Sequence, residues 1–224
     1  MMEGIRVERI GELVGRQEYG ELLRVLVRME GEAHLRTVTE NMGDANELVA
    51  YYGCYMLACQ LEGEECEARN VCIKFRRNSK LAQSSVLVQL EVLVKAVQEM
   101  SYQSVYRVKR DNMPEVIAPL VDELVRQFRR KMLTTVVRHF TNITGDRLQA
   151  YVGLTGNVAE ALESQFPGEF DIIQQETSNL YRVVYKNSGD TEMSIDVEND
   201  NDDEKRQRVA NLVRLATYLE QKEA

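Results

Sequence analysis

The stretch Phe170-Asp-Ile-Ile-Gln-Gln-Glu-Thr-Ser-Asn-Leu-Tyr-Arg-Val-Val-Tyr-Lys186 decides the fold, because the apolar period changes here from 3.6 residues toward 2. Phe170–Gln175 predicts a short strand. Leu180–Lys186, which is richer in β-branched and aromatic residues, predicts a better one. Thr177-Ser-Asn between them can turn. Residues 170–186 therefore predict a two-stranded hairpin.

A long helical pattern stands upstream of this hairpin. Apolar residues recur from Ile117 to Ile143 in steps of three and four, which is the spacing of one helix face. Pro119 is expected to kink this helix early, and Gly145 is expected to end it. A helix of this length would connect two modules rigidly.

Two shorter helices are predicted between the long helix and the hairpin. Asp146 is expected to cap the first, which runs through Tyr151. Asn157 is expected to cap the second, and Pro167 with Gly168 stops it. Three helices followed by a hairpin is the order of a winged-helix domain, so residues 114–187 are predicted to form a long connecting helix and a winged helix.

The first part of the chain, residues 1–113, predicts an array of helical hairpins, so the fold class is mainly α. The hairpins are of the TPR or HEAT kind, although no repeat recurs at a fixed period. One amphipathic helix of the array is expected to bury Leu48, Val49, Tyr52, Tyr55, Met56 and Cys59 on a single face. The predicted helices are Glu18–Met29, Asn46–Leu61, Glu64–Phe75, Gln83–Met100 and Tyr102–Lys109.

The net charge of −8 is concentrated in one segment. Residues 188–203 are predicted to be an acidic, flexible loop. Residues 204–224 are predicted to be a C-terminal helix with a strong apolar stripe that must pack on something. The acids that account for the charge are Asp190, Glu192, Asp196, Glu198, Asp200, Asp202, Asp203 and Glu204.

No pattern of catalytic residues stands out, and the chain is not expected to be an enzyme. The sequence has no G-x-x-x-x-G-K-[ST] or G-x-G-x-x-G phosphate loop, no H-E-x-x-H motif and only two histidines. No cofactor or metal is expected. The four cysteines, Cys54, Cys59, Cys66 and Cys72, are expected to be buried free thiols, because none forms a C-x-x-C pair.

A winged helix raises the alternative of a nucleic-acid-binding regulator, but the charges oppose it. The third helix, Asn157–Phe166, has no Lys or Arg, and Glu160 and Glu163 would face the phosphates. The wing adds only Arg182 and Lys186. The basic cluster Arg126, Arg129, Arg130 and Lys131 lies on the long helix, where a solvated face is the ordinary interpretation. A protein-binding module with no nucleic acid is therefore predicted.

The predicted interface has two parts. The strand Leu180–Lys186 is expected to present a sheet edge for pairing with another subunit. The C-terminal helix is expected to pack its apolar stripe on neighbours. The candidate interface residues are Leu180, Val183, Tyr185, Val209, Leu212, Val213, Leu215, Ala216 and Leu219.

The order of these modules resembles the PCI-domain family, which is shared by the proteasome lid, the COP9 signalosome and translation initiation factor 3. Tyr51–Phe75 is similar to a helical hairpin of the subunit 8 group of the COP9 signalosome: a tyrosine-glycine start leads to a short break and an Ala-Arg pair. Leu148–Leu154 with Val158–Leu162 resembles that group's winged-helix entry. Leu212–Glu220 resembles its C-terminal helix. The resemblance spans roughly residues 50 to 222.

The resemblance implies a non-catalytic scaffold in a complex that removes the ubiquitin-like protein Nedd8 from cullins, with the zinc metalloprotease site on a different subunit. The implied partners are other PCI-domain subunits. A subunit k-like chain of initiation factor 3 and a PCI subunit of the proteasome lid remain alternatives. The charged N-terminus and the lack of a bilayer-length apolar stretch predict a soluble protein without membrane contact, in the cytoplasm and nucleus.

Overall fold

A computed structural model describes residues 7–38, 45–109, 113–154, 156–174 and 179–186. These residues fold into ten helices and three short strands, so the mainly helical fold class is confirmed. The helices are α1 (Val7–Gly15), α2 (Tyr19–Val38), α3 (Ala45–Leu61), α4 (Glu65–Arg76), α5 (Ser79–Ala82), α6 (Ser85–Gln98), α7 (Tyr102–Val105), α8 (Ala118–His139), α9 (Gly145–Val152) and α10 (Val158–Gln165). The strands are β1 (Ile143–Thr144), β2 (Phe170–Gln174) and β3 (Leu180–Tyr185).

The predicted acidic loop 188–203 and the predicted C-terminal helix 204–224 lie outside the described residues. Four differences appear in the first part of the chain. The helix predicted over Glu18–Met29 continues to Val38, and the helix predicted over Tyr102–Lys109 ends at Val105. Helices α1 and α5 were not predicted. None of the described helices combines the length and the apolarity needed to cross a membrane.

Helix α3 lies at the centre of the helical array. It packs against α2, α4, α6 and α8, and every side chain from residue 50 to residue 60 is buried. The prediction of an amphipathic helix with one buried face is therefore wrong, because neighbours surround α3 on all sides. Gly53 permits this closeness: a β-carbon there would lie 2.6 Å from Cδ1 of Ile117 and 3.1 Å from Cδ1 of Leu90.

The buried hydrophobic residues form two clusters, and α8 contributes to both. The first cluster extends from Ile10 in α1 to Met132 in α8. The second begins one residue later, at Leu133, and extends to Val183 in β3. Because a single helix carries both clusters, the array and the small sheet share one continuous structural element.

The long helix begins at Ala118, one residue after the predicted start at Ile117, but the expected kink and the predicted end are wrong. Pro119 lies in the first turn of α8, where its missing N–H would have had no helical partner, so it starts the helix and does not kink it. The helix ends at His139 because Phe140 is extended, with φ −125° and ψ 120°. Gly145 begins α9 and does not end α8.

The cap predictions for the two shorter helices had different outcomes. Asp146 was expected to cap the first, but it lies within the first turn of α9, and Thr144 occupies the N-cap position. Asn157 does cap α10, where its side chain accepts a hydrogen bond from the backbone N–H of Glu160. Of the two, only the Asn157 prediction is confirmed.

The sheet is antiparallel with strand order β1-β3-β2. The predicted hairpin is confirmed, and its register places Phe170 opposite Tyr185 and Ile172 opposite Val183. The expectation that β3 presents a free edge is wrong as stated, because β3 lies between the other two strands. However, β1 pairs only with the first two residues of β3, Leu180 and Tyr181.

Candidate functional site: the junction and the small sheet

Tyr106 joins the helical array to the second cluster. It follows α7, and its ring packs edge-on against Phe128 of α8 with 5.9 Å between centroids. Its hydroxyl donates a 2.8 Å hydrogen bond to the carbonyl oxygen of Tyr151 in α9. Burial raises the pKa of Tyr106 above its usual value, and nearby Arg129 offsets this only in part. The hydroxyl therefore stays protonated and remains a donor.

Arg129 on α8 holds the same region from the other side. Its Nε donates to the carbonyl oxygen of Val152, 2.6 Å away, and its terminal nitrogen donates to Oε1 of Gln165 in α10. Its guanidinium also lies over the Tyr106 ring, 5.4 Å from the centroid. One side chain thus connects α8 to α9, to α10 and to the residue that follows α7.

Gly153 completes this arrangement, which we call the junction (Tyr106, Arg129, Tyr151, Gly153 and Gln165). Gly153 ends α9 in the left-handed conformation, with φ +63°. A β-carbon at this position would lie well under 3.0 Å from the Tyr106 ring. Only glycine satisfies both conditions, so the junction fixes how the array and the second cluster are oriented.

Sequence reasoning missed the junction. Its members come from four separate parts of the chain, and no local pattern relates them. The nearest signal is Gly153 itself, two residues after the predicted end of that helix at Tyr151, because a glycine after a helix often marks a left-handed cap. The identity of the group packed against that glycine was not accessible without the fold.

The interpretation of the basic cluster as a solvated face is confirmed for Arg126, Arg130 and Lys131, which are exposed, and is wrong for Arg129, which is half-buried. Besides Arg129, Arg126 forms a two-point pair with Glu123, with Nε 2.8 Å from Oε2. Arg130 pairs with Glu169 at 2.8 Å. Lys131 is exposed. Arg129 and Arg130 thus bond to residues outside α8, whereas the Arg126 pair lies within that helix.

The three described candidate interface residues have different environments. Leu180 is half-buried and pairs with Thr144 of β1. Val183 is only 3% exposed, since it packs in the second cluster. Tyr185 is 37% exposed, and its hydroxyl donates to Oγ1 of Thr134 at 3.1 Å. The structure thus places two of the three partly or fully within this chain's own packing.

The remaining candidate interface residues lie outside the described residues: Val209, Leu212, Val213, Leu215, Ala216 and Leu219. Sequence reasoning did not single out Ile173, which is 53% exposed on β2. Strand β2 lies at the outside of the strand order, with β3 on one side only. Ile173 therefore presents apolar surface on an outer strand.

Acidic residues surround the one lysine of the wing. Lys186 lies 3.1 Å from a carboxylate oxygen of Glu163 and 3.8 Å from one of Asp171. Glu160 is exposed on the same helix, α10, which has no basic residue. A negatively charged nucleic acid at this helix would meet carboxylates first.

The cysteines are free, as predicted, but not all are buried. Cys54, Cys59 and Cys72 are buried, whereas Cys66 is exposed. Burial raises the pKa of Cys54 and of Cys59 to about 12 and that of Cys72 to about 11. Within the described part of the chain, no three His, Cys, Asp or Glu side chains come together as a metal site.

Residues 56–165 match the model of the CSN8/PSMD8/EIF3K family. The matched span is just under half of the chain. It begins within α3, ends where α10 ends and includes every residue of the junction. No curated protein matches the chain. The chain is therefore similar to this family over the span that contains the junction. This match confirms the resemblance that the sequence predicted.

Proposed function

We propose that this chain, which matches the CSN8/PSMD8/EIF3K family over residues 56–165, is a non-catalytic scaffold subunit of the COP9 signalosome and supports removal of Nedd8 from cullins. The family match is the observation that carries the proposal. It supports a subunit of the signalosome, of the proteasome lid or of initiation factor 3. The step to the signalosome rests on the sequence resemblance alone.

That step depends mainly on the hairpin Tyr51–Phe75. Tyr51 lies in the array core, where its hydroxyl donates to the carbonyl oxygen of Leu26 at 3.0 Å. The Ala-Arg pair, Ala68 and Arg69, lies in α4, with Ala68 buried. Because these residues hold α3 and α4 in place, the motif that resembles subunit 8 is part of the scaffold itself.

We also propose a winged helix for α8, α9, α10 and the β2–β3 hairpin, within a domain that spans residues 114–187 and follows an array of residues 1–113. The element order and the antiparallel sheet support this classification. The carboxylates around Lys186 favour a protein partner over nucleic acid. The outer strand β2, with exposed Ile173, offers an apolar strand edge to which a protein partner can bind.

The proposed subunit interface combines this sheet with the apolar stripe of residues 204–224. Leu180, Val183 and Tyr185 are the proposed interface residues on the sheet. Of these three side chains, Tyr185 is the most exposed to solvent. Leu212 and Leu219 are the proposed anchors of the C-terminal stripe. Other PCI-domain subunits are the proposed partners, and the cytoplasm and nucleus are the proposed location.

Affinity purification of the tagged full-length chain from cells of its source, followed by mass spectrometry, tests this proposal. We expect recovery of signalosome subunits, including the metalloprotease subunit. The eluate is also expected to remove Nedd8 from a cullin, while the chain purified alone is not. Recovery of proteasome-lid or initiation-factor subunits without deneddylase subunits would overturn the assignment to the signalosome.

A further inference from the structure

A groove lies between the end of α8 and the middle of β3. It encloses about 270 Å³ and is lined by four apolar residues, one threonine and three basic residues, and its accessible surface is more polar than apolar. No acidic side chain of the described residues lines it. The lining residues are Val137, Arg138, His139, Phe140, Thr141, Arg182, Val183 and Val184.

The two arginines of the groove differ from those in the middle of α8. Arg126, Arg129 and Arg130 all bond to groups of this chain, whereas the side chains of Arg138 and Arg182 make no hydrogen bond or ion pair with a described residue. A basic residue in the last turn of a helix interacts favourably with the helix dipole, which accounts for Arg138. It does not account for Arg182, which faces the groove from β3.

The groove opens where, among the described residues, β3 has a partner strand on one side only. Strand β1 pairs with Leu180 and Tyr181 and ends there, so Arg182–Val184 extend beyond it. On the opposite side, β2 pairs with β3 from Tyr181 to Tyr185. The groove therefore lies along the part of β3 that β1 does not cover.

A segment with matching chemistry follows β3 in the sequence. In Glu192-Met-Ser-Ile-Asp-Val-Glu198, apolar and polar residues alternate, which is the pattern of an extended strand with two distinct faces. In an extended conformation Met193, Ile195 and Val197 would share one face, and Glu192, Asp196 and Glu198 would share the other. These residues lie outside the described part of the chain, so only their sequence enters the argument.

The connection is long enough for this segment to reach the groove. Five residues, 187–191, separate it from Lys186, and an extended chain of that length spans up to about 17 Å. The return along the chain from Lys186 to Arg182 is four residues, or about 13 Å, which the linker can span. A tethered segment also has an effective concentration on the order of millimolar, well above that of a free partner.

We propose that residues 192–198 of this chain dock in the α8–β3 groove. Met193, Ile195 and Val197 pack on Val137 and Phe140. The acidic face meets the two groove arginines and His139. The docked segment covers the part of β3 beyond β1, which would otherwise attract other extended chains.

Disulfide trapping in the full-length chain tests this proposal. Thr141 lines the groove, so the pair Thr141→Cys with Ile195→Cys reports docking. The exposed native thiol is first removed by Cys66→Ser. The matched control pairs Ile195→Cys with Asp171→Cys on β2, because Asp171 lies opposite Val184 at the same level of the sheet but on its other side. Linked peptides are quantified by mass spectrometry at several protein concentrations.

We expect the 141–195 disulfide to form within single molecules, about tenfold faster than the 171–195 disulfide at low salt. Arg182→Glu should remove most of this preference, and adding Asp196→Arg to it should restore the preference. Because the preference returns only if the double variant still has a folded groove, a general loss of structure cannot account for the rescue. Equal rates, linkage only between molecules, or a ratio unchanged by Arg182→Glu would each overturn the proposal.

Discussion

Gly153 occupies the tightest contact of the junction. Its left-handed backbone ends α9, and the Tyr106 ring packs where a side chain would begin. Gly156, three residues later, also has a positive φ, +85°, but no atom lies within 4 Å of the position its β-carbon would take. Substitutions at the two glycines therefore distinguish the free-energy cost of backbone strain from that of a steric clash.

We predict that Gly153→Ala destabilises the chain by about 3 kcal/mol or more, because it combines left-handed strain with a clash against Tyr106. Gly156→Ala should cost only about 1 kcal/mol, from the strain alone. Urea unfolding of both variants measures the difference. Equal losses for the two would show that the Tyr106 contact does not constrain Gly153.

The cysteines offer a second test at this scale. Cys66 should react with an aromatic disulfide reagent at pH 7 in the folded chain, because it is exposed. Cys54, Cys59 and Cys72 should react only after unfolding, since burial blocks access and keeps the thiols protonated. The expected count is one fast thiol in buffer and four in denaturant. More than one fast thiol would contradict the packing around α3 and α4.

Among the elements, α8 links the array to the second cluster, because it contributes residues to both hydrophobic clusters and bears Arg129. Arg129→Ala should lower the free energy of unfolding by about 2 kcal/mol or more, because the carbonyl of Val152 loses a charge-assisted hydrogen bond and Tyr106 loses its cation. Lys131→Ala, two residues away and exposed, is the matched control and should leave stability nearly unchanged. Denaturant titration of both variants is the measurement, and similar losses would contradict the role given to Arg129.

The same elements show what sequence could and could not predict. Helical periodicity located α3, α4, α6 and most of α8 to within a few residues. It failed to show that α3 is surrounded, because a helix buried on every side has no face to detect. Strand β1 was missed because two residues carry no period, and its partner β3 is about forty residues away. The Arg129 bonds were missed because they join residues 23 and 36 positions apart.

At the scale of the whole molecule, the described residues form one continuous body through α8, and the proposed partner surfaces lie at its sheet and in residues 204–224. The candidate site was therefore predictable only in part: the hairpin was located, but the strand at its outer side is β2 and not β3. Strand order depends on which distant segment pairs with the hairpin, and local sequence does not record it.

We predict that Leu212→Asp combined with Leu219→Asp reduces incorporation into the complex at least about tenfold, because a charge would replace an apolar contact at each position. Leu81→Asp is the opposite control: Leu81 is fully buried in the array, so it should unfold the chain rather than only release partners. Circular dichroism of the isolated variants separates the two effects. Unchanged recovery of partners with the Leu212 and Leu219 variant would show that this stripe is not an interface.

The central claim is that the chain is a stoichiometric assembly subunit. Absolute quantification of the affinity-purified complex with isotope-labelled peptides tests it most directly. We predict that the chain is recovered at a one-to-one ratio with the PCI-domain subunits of one complex, in a single high-mass fraction on size exclusion. Recovery of the chain chiefly alone, or at a small fraction of its partners' amounts, would contradict it.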